Sequence, residues 1–337
     1  MSNKKIIGNT IFLLAIFGLT VWGVFHGENL SQVFGYIVQM NKWYLIPSII
    51  CVVAFIFGES IVMWYMLKTI GVKVRIGRCY LYSFVGFFVS CITPSASGGQ
   101  PAQIYYMKKD KIAVPVATLV LMIITITYKL VLVLIGVGIL LFRPAGVMTL
   151  LQPVLFWCYL GIALNIFAVS SMFMLVFHPS LATRCMFTIL RILEKLHLLK
   201  KKADRMERWN DHMEEYHAAA AYFSENKMVI LNVVVITIIQ RLILFFVTYL
   251  VCLAFGMTHY SWVVIMLGQA MISVAVDMLP LPGGMGVSET LFLAIFSPVF
   301  GQLTLPAMVV SRGISYYAQL LISAVMTVVA HFRIKGD

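Results

Sequence analysis

Six ionisable side chains, Glu59, Lys129, Arg241, Asp277, Glu289 and Arg312, interrupt stretches of sequence that are otherwise apolar. Were those stretches in a bilayer, each charge near the centre would cost about 2.5–3.5 kcal/mol, and six facing lipid on the order of 15–20 kcal/mol. That exceeds the stability of most domains. The six must therefore face the interior, pair, or line a wet cavity. Three acids and three bases can form ion pairs that lock helices together, or they can hold a polar substrate or a coupling ion. The sequence leaves both readings open for each residue. Lys129 has a long stem that could snorkel, which is a structural role. Glu59 and Asp277 could carry protons or a cation, although no spacing demands it.

Two motifs could complete such a site. Residues 279–289 read L-P-L-P-G-G-M-G-V-S-E. Pro280 and Pro282 end a helix, and Gly283, Gly284 and Gly286 permit left-handed backbone and close approach. A returning helix then begins near Gly286 to Ser288, with free N–H groups at its start. Residues 93–103 read T-P-S-A-S-G-G-Q-P-A-Q, and Gln100 would begin a matching helix after Gly98 and Gly99. Two helix N-termini meeting at one cavity carry partial positive charge and suit a phosphate. Arg241 and Arg312 could add a bidentate grip. Glu289, three residues past Gly286, could instead cap its own helix. Gln100 and Gln103 could bond a headgroup or only satisfy loop backbone. The run Ser95-Ala96-Ser97-Gly98 superficially resembles an intramembrane serine protease motif. Its serine would need a histidine base, and His259 and His331 fall at the edges of apolar segments.

The elements that must position these residues are apolar windows at 6–25, 44–67, 79–92, 112–142, 154–177, 228–255, 261–279, 286–296 and 305–331. With 61% hydrophobic and 11% charged residues in 337, the chain is excluded from the soluble globular class and fits a polytopic membrane protein. The net charge of +12 sits in short loops beside apolar spans, which reads as topology and lipid contact, not nucleic acid. Six scattered cysteines and no C-x-x-C argue against a disulfide framework or metal knuckle. His212, Glu214 and His217 lack metal-ligand spacing. No metal or cofactor is expected. The window 6–25 follows Lys4 and Lys5 without a small-residue cleavage site and reads as a retained span.

Window 79–92 is roughly 21 Å of helix, too short for ~30 Å of hydrocarbon. Treating 79–107 and 261–296 as hairpins that return to their own side leaves six full spans, with both termini in the cytoplasm. Lys68, Lys73, Arg75, Arg78, Lys108, Lys109, Lys111 and the basic residues of 184–227 then fall inside; Lys42 and Arg143 fall outside. This is the positive-inside bias. The two hairpins then enter from opposite sides, each with a proline followed by a glycine pair: Pro94 with Gly98-Gly99, Pro280 with Gly283-Gly284. That is an inverted repeat, 44–142 against 228–331, as in transporters with broken helices at the midplane. Between them, 178–226 reads as a solvated connector, with an amphipathic interfacial stretch at 181–199 and a mixed-charge helix at 203–223.

The two motifs, with this span pattern and a charged central loop, resemble the lysylphosphatidylglycerol synthase flippase-like transmembrane family over about residues 6–332. The family includes the membrane half of bacterial multiple peptide resistance factors. The resemblance implies an integral membrane protein that moves phospholipids, anionic or aminoacylated, between leaflets. It implies Gly98, Gly99, Gln100, Gly283, Gly284, Gly286 and Glu289 in the substrate region. Multidomain members carry a soluble aminoacyl transferase after the membrane part, whereas this sequence stops at Asp337; lipid aminoacylation is not expected of it. The expectation is therefore an all-α polytopic bundle of about six spans plus two re-entrant hairpins, forming one membrane domain in a bacterial cell membrane. Its function would be phospholipid translocation and not catalysis, with a homo-oligomer left open. A small-solute transporter or channel and a non-transporting partner protein are the alternatives.

Overall fold

The computed structural model describes residues 30–177, 188 and 205–334. The first apolar window, 6–25, and the stretch 181–199 lie outside the described residues, apart from Thr188. All regular structure among the described residues is helical. In chain order the α-helices are α1 (Leu30–Gln39), α2 (Leu45–Thr69), α3 (Ile76–Cys91), α4 (Gly99–Lys109), α5 (Val114–Phe142), α6 (Ala145–Leu151), α7 (Leu155–Phe177), α8 (Arg205–Glu225), α9 (Lys227–Ala254), α10 (Trp262–Val276), α11 (Val287–Phe300), α12 (Thr304–Arg312) and α13 (Gln319–Arg333). A π-helical segment, Gly313–Ala318, joins the last two. Helices α1 and α6 were not legible in the apolar windows.

Five stretches are long and apolar enough to cross a membrane: Lys42–Thr69, Val114–Phe142, Ala145–Val176, Lys227–Ala254 and Pro282–Arg333. The last is not one span. Its chain turns at Gly301 (φ 53°), and α11 packs against α12 on the far side of that turn. The part beyond that turn, 304–333, corresponds to the last apolar window. Five of the six expected spans are thus described, and the protein is a multi-pass helical membrane bundle.

Helices α3 and α10 have 16 and 15 residues, roughly 24 and 22 Å of rise. Each ends in a tight turn and returns as α4 or α11. The two turns share one backbone course. Thr93 (φ −119°, ψ 144°) and Leu281 (φ −118°, ψ 133°) are extended because a proline follows each, and Pro94 and Pro282 then open a 3-10 turn. The sequence comparison had paired Pro94 with Pro280; the equivalent proline is Pro282. The glycines expected to allow left-handed backbone in the second turn all have positive φ, Gly283 57°, Gly284 66° and Gly286 84°; in the first turn the positive φ falls on Ala96 (54°). Gly98 is right-handed and Gly99 lies within α4. Their role is close packing: a Cβ on Gly99 would lie 2.8 Å from the Gly86 carbonyl, and one on Gly98 would lie 2.6 Å from Thr93 Cγ2.

The two turns touch each other. Around them the contacts are reciprocal: α2 packs on α3 and α5, and α9 packs on α10 and α12. Helix α3 lies along α13 as α10 lies along α5, while α2 and α9 pack on each other. Two apolar cores occupy opposite ends of this bundle. On α2, Val52 belongs to one and Val62 to Leu67 to the other; on α5, Leu132 and Ile139 against Ala117 to Ile126; on α9, Phe245 to Cys252 against Val229 and Val233. The residues left between the cores sit at the middle of each span. Helix α8 departs from the expected solvated connector: Tyr216, Ala219, Ala220 and Phe223 are buried in the second core against α5.

Candidate functional site

Between the two cores lies a cavity of about 470 Å³. Its walls come from the middle of α2 and α9, both hairpin turns, the centre of α5, and the π-helical segment. Such π-turns are frequent at functional sites. Among the six predicted charges, Glu59, Lys129, Arg241, Asp277 and Arg312 line it directly. Glu289 stands behind Arg312.

Four of the six are paired. Lys129 Nζ lies 2.6 Å from Asp277 Oδ2 and 2.9 Å from Met278 Sδ, tying α5 to the end of α10. Its stem does not snorkel to the membrane edge. Arg312 Nε donates to Glu289 Oε1 at 2.8 Å, and its Nη2 donates to the Gly283 carbonyl at 3.0 Å. The Gly286 N–H donates to the second oxygen of Glu289 at 2.7 Å, which is the capping role read from the three-residue spacing. Both groups expected to grip a phosphate at the second turn, the start of α11 and Arg312, are thus engaged with Glu289. The start of α11 is already neutralised by Glu289, and so is Arg312, so neither offers a free positive end.

The remaining two charges are held differently. Glu59, 7% exposed, accepts from Gln103 Nε2 at 2.6 Å and from the Tyr128 hydroxyl at 3.2 Å. Arg241 lies over the Tyr128 ring at 4.7 Å and the Phe55 ring at 5.9 Å, and its buried Nε has no hydrogen-bond partner among the described residues. No described carboxylate lies within salt-bridge distance of its guanidinium. Stacking on aromatic faces keeps that group desolvated but leaves its donors unspent.

Neutral amides complete the frame. Gln103 is buried, and Gly86 makes room for it: a Cβ there would overlap the Gln103 amide. Gln240 donates to the Phe55 carbonyl at 2.7 Å and to the Tyr128 hydroxyl, while Gly58 opens the space it fills. Gln100 donates to Thr125 and to the Leu121 carbonyl at 3.3 Å, so it braces α4 against α5 while edging the cavity. Gly283, Gly284 and Ser288 also line the cavity. Gly98, Gly99, Gly286 and Glu289 do not line it; they shape or anchor the turns behind it. Ser97 spends its hydroxyl on the Pro94 carbonyl at 2.9 Å.

Several residues here escaped the sequence reading. Tyr128 and Gln240 are neutral, so a search for buried charge passes over them. Tyr316, whose hydroxyl donates to the Cys91 carbonyl at 2.8 Å, ties the π-helical segment to the end of α3. The signal that could have found Gln240 is an amide in mid-span, which also needs a buried partner. Among the described residues, no cluster of three His, Cys, Asp or Glu side chains could hold a metal ion.

What the geometry offers is a chamber at the middle of the spans, bounded by two hairpin turns, with charged and amide groups set in a largely apolar wall and, among the described residues, Arg241 paired with no carboxylate. The model of the lysylphosphatidylglycerol synthase transmembrane region matches residues 10–323. No individually curated protein matches the chain. With that match running through both hairpins and four of the described spans and into the fifth, the chain belongs to the lysylphosphatidylglycerol synthase transmembrane-region family.

Proposed function

We propose that this protein is a phospholipid translocase: the headgroup passes through the central cavity while the acyl chains stay in the bilayer. The observation that carries the reading is Arg241, a cation with unspent donors in the wall of a chamber at mid-span. At about 470 Å³ the chamber falls within the range of small-molecule sites, about 300–1,000 Å³. Arg241 suits the lipid phosphate, with Gln100, Gln103 and Ser288 as neutral partners, and Lys129–Asp277 and Arg312–Glu289 keep the walls in place. The cargo headgroup on this reading is anionic or aminoacylated. Phe87, Leu121, Met172, Leu244 and Leu281 give the chamber apolar wall suited to the upper part of acyl chains.

The reciprocal contacts support an inverted repeat, 44–142 and 228–331, in one membrane domain. Its hairpins enter from opposite leaflets and alternate in exposing the chamber. The basic loops favour cytoplasmic termini in a bacterial cell membrane. The protein acts by moving its substrate and not by transforming it. Reconstitution with fluorescent phosphatidylglycerol and phosphatidylethanolamine tests the reading. Wild-type vesicles should equilibrate labelled lipid across the bilayer faster than empty ones, and Arg241→Ala should lose at least tenfold of that rate while remaining folded. Equal rates in empty and loaded vesicles for every lipid would reject it. Inhibition by water-soluble glycerol phosphate, with no lipid movement, would favour a small-solute transporter.

A further inference from the structure

Two charges in the cavity wall are not committed to an ion pair among the described residues, and they flank one side chain. The Tyr128 hydroxyl donates to Glu59, and the face of the same ring carries the Arg241 guanidinium. Carboxylate and guanidinium therefore meet the same side chain, one at its hydroxyl and one on its face, without forming an ion pair. The other charged groups of the wall are spent: Lys129 on Asp277, Arg312 on Glu289. Around Glu59 the neighbours are Ser83 from α3, Gln103 from α4 and Tyr128 from α5, and Tyr128 in turn meets Gln240 and Arg241 from α9. From the π-helical segment Tyr316 faces the chamber with its hydroxyl committed to Cys91. Arg241 is the one cation in that set.

We infer that Glu59 binds a proton whenever an anionic headgroup occupies Arg241, so that each lipid phosphate crosses with one proton. The inference rests on the translocase reading and adds its coupling. An anion at Arg241 takes the guanidinium's charge away from Glu59, and a buried carboxylate left without a cation takes up a proton. Water entering with the headgroup supplies that proton to a Glu59 oxygen, and the proton returns to water when the anion leaves; no other bond changes. The effect is reciprocal: a protonated Glu59 leaves Arg241 uncompensated and tightens its hold on phosphate. Gln103 and the Tyr128 hydroxyl serve both states, since an amide and a phenol can reorient between donating and accepting.

The stoichiometry makes a sharp test. One monoanionic lipid with one proton is electroneutral, so a pH difference across the membrane should redistribute labelled phosphatidylglycerol between leaflets about tenfold per pH unit. A membrane potential should not. In proteoliposomes with the potential clamped, wild type should show this ratio, Glu59→Asp should keep it, and Glu59→Gln should bring it to one. Movement of lipid by wild type to equal leaflets under a pH difference would overturn the coupling and leave the translocase reading standing. A gradient response retained in Glu59→Gln would overturn the assignment to Glu59. No lipid movement by wild type in any condition would remove the translocase reading and this inference with it. Should Glu59→Gln be inert, wild type and Glu59→Asp decide.

Discussion

Arg312, in the last turn of α12, reaches across to Glu289 in the first turn of α11, and the two meet at 2.8 Å while the same carboxylate caps Gly286. One acid thus neutralises a helix start and an arginine together. The side chains are 5% and 14% exposed, so solvent does little to replace a lost partner. Glu289→Gln keeps an oxygen for the Gly286 N–H but leaves Arg312 uncompensated. We expect a loss of about 3 kcal/mol. Glu289→Ala should cost about 1 kcal/mol more by removing the cap as well. Pairing Glu289→Gln with Arg312→Met should recover most of the loss, because a well-packed apolar replacement avoids the buried charge. Denaturant unfolding in detergent measures all three.

Gly283 and Gly256 share a positive φ, 57° and 78°, but not their surroundings. A Cβ at Gly283 would overlap the Tyr316 ring, whereas none is obstructed at Gly256, which closes the end of α9. Gly256→Ala should cost about 1 kcal/mol, the left-handed penalty alone. Gly283→Ala adds displacement of Tyr316 and loss of its bond to Cys91, for a total of about 2–4 kcal/mol. Equal shifts in melting temperature for the two variants would contradict this account of the second turn.

The disposition of the hairpins can be read by labelling. Lys73 and Lys108 flank the first hairpin; Thr258 and Gln302 flank the second, and all four are exposed. Replaced singly by cysteine in a cysteine-free background, the first two should react with an impermeant maleimide from one face of the membrane and the last two from the opposite face. Reaction of Lys73→Cys and Lys108→Cys from opposite faces would mean that the first hairpin crosses completely.

Much of this fold was legible because its defining events are sharp in chemistry. Proline and glycine break helices wherever they stand, so the interruptions at Pro94 and Pro282 announced themselves, and the short windows before them match the short helices α3 and α10. The Glu289 cap was legible at a three-residue spacing because it is local. The partner of Lys129 was not, since Asp277 is 148 residues away and only tertiary packing joins them. Nor does pattern mark Ala96, where an alanine takes a left-handed backbone that nothing in its residue type announces. It failed at α8, whose buried Tyr216 and Phe223 are hidden among charged residues. The partner of Arg312 was illegible for a similar reason: spacing showed where cations lie but not which of them are paired.

The account turns on whether a phospholipid head enters the chamber beside Arg241. A structure determined in nanodiscs containing phosphatidylglycerol tests this most directly. The account predicts lipid density between the two hairpin turns, with phosphate oxygens within about 3 Å of the Arg241 guanidinium and acyl chains leading out to the bilayer. Lipid found only on the outer surface of the bundle, with Arg241 closed onto Glu59 and no space between the turns, would contradict it.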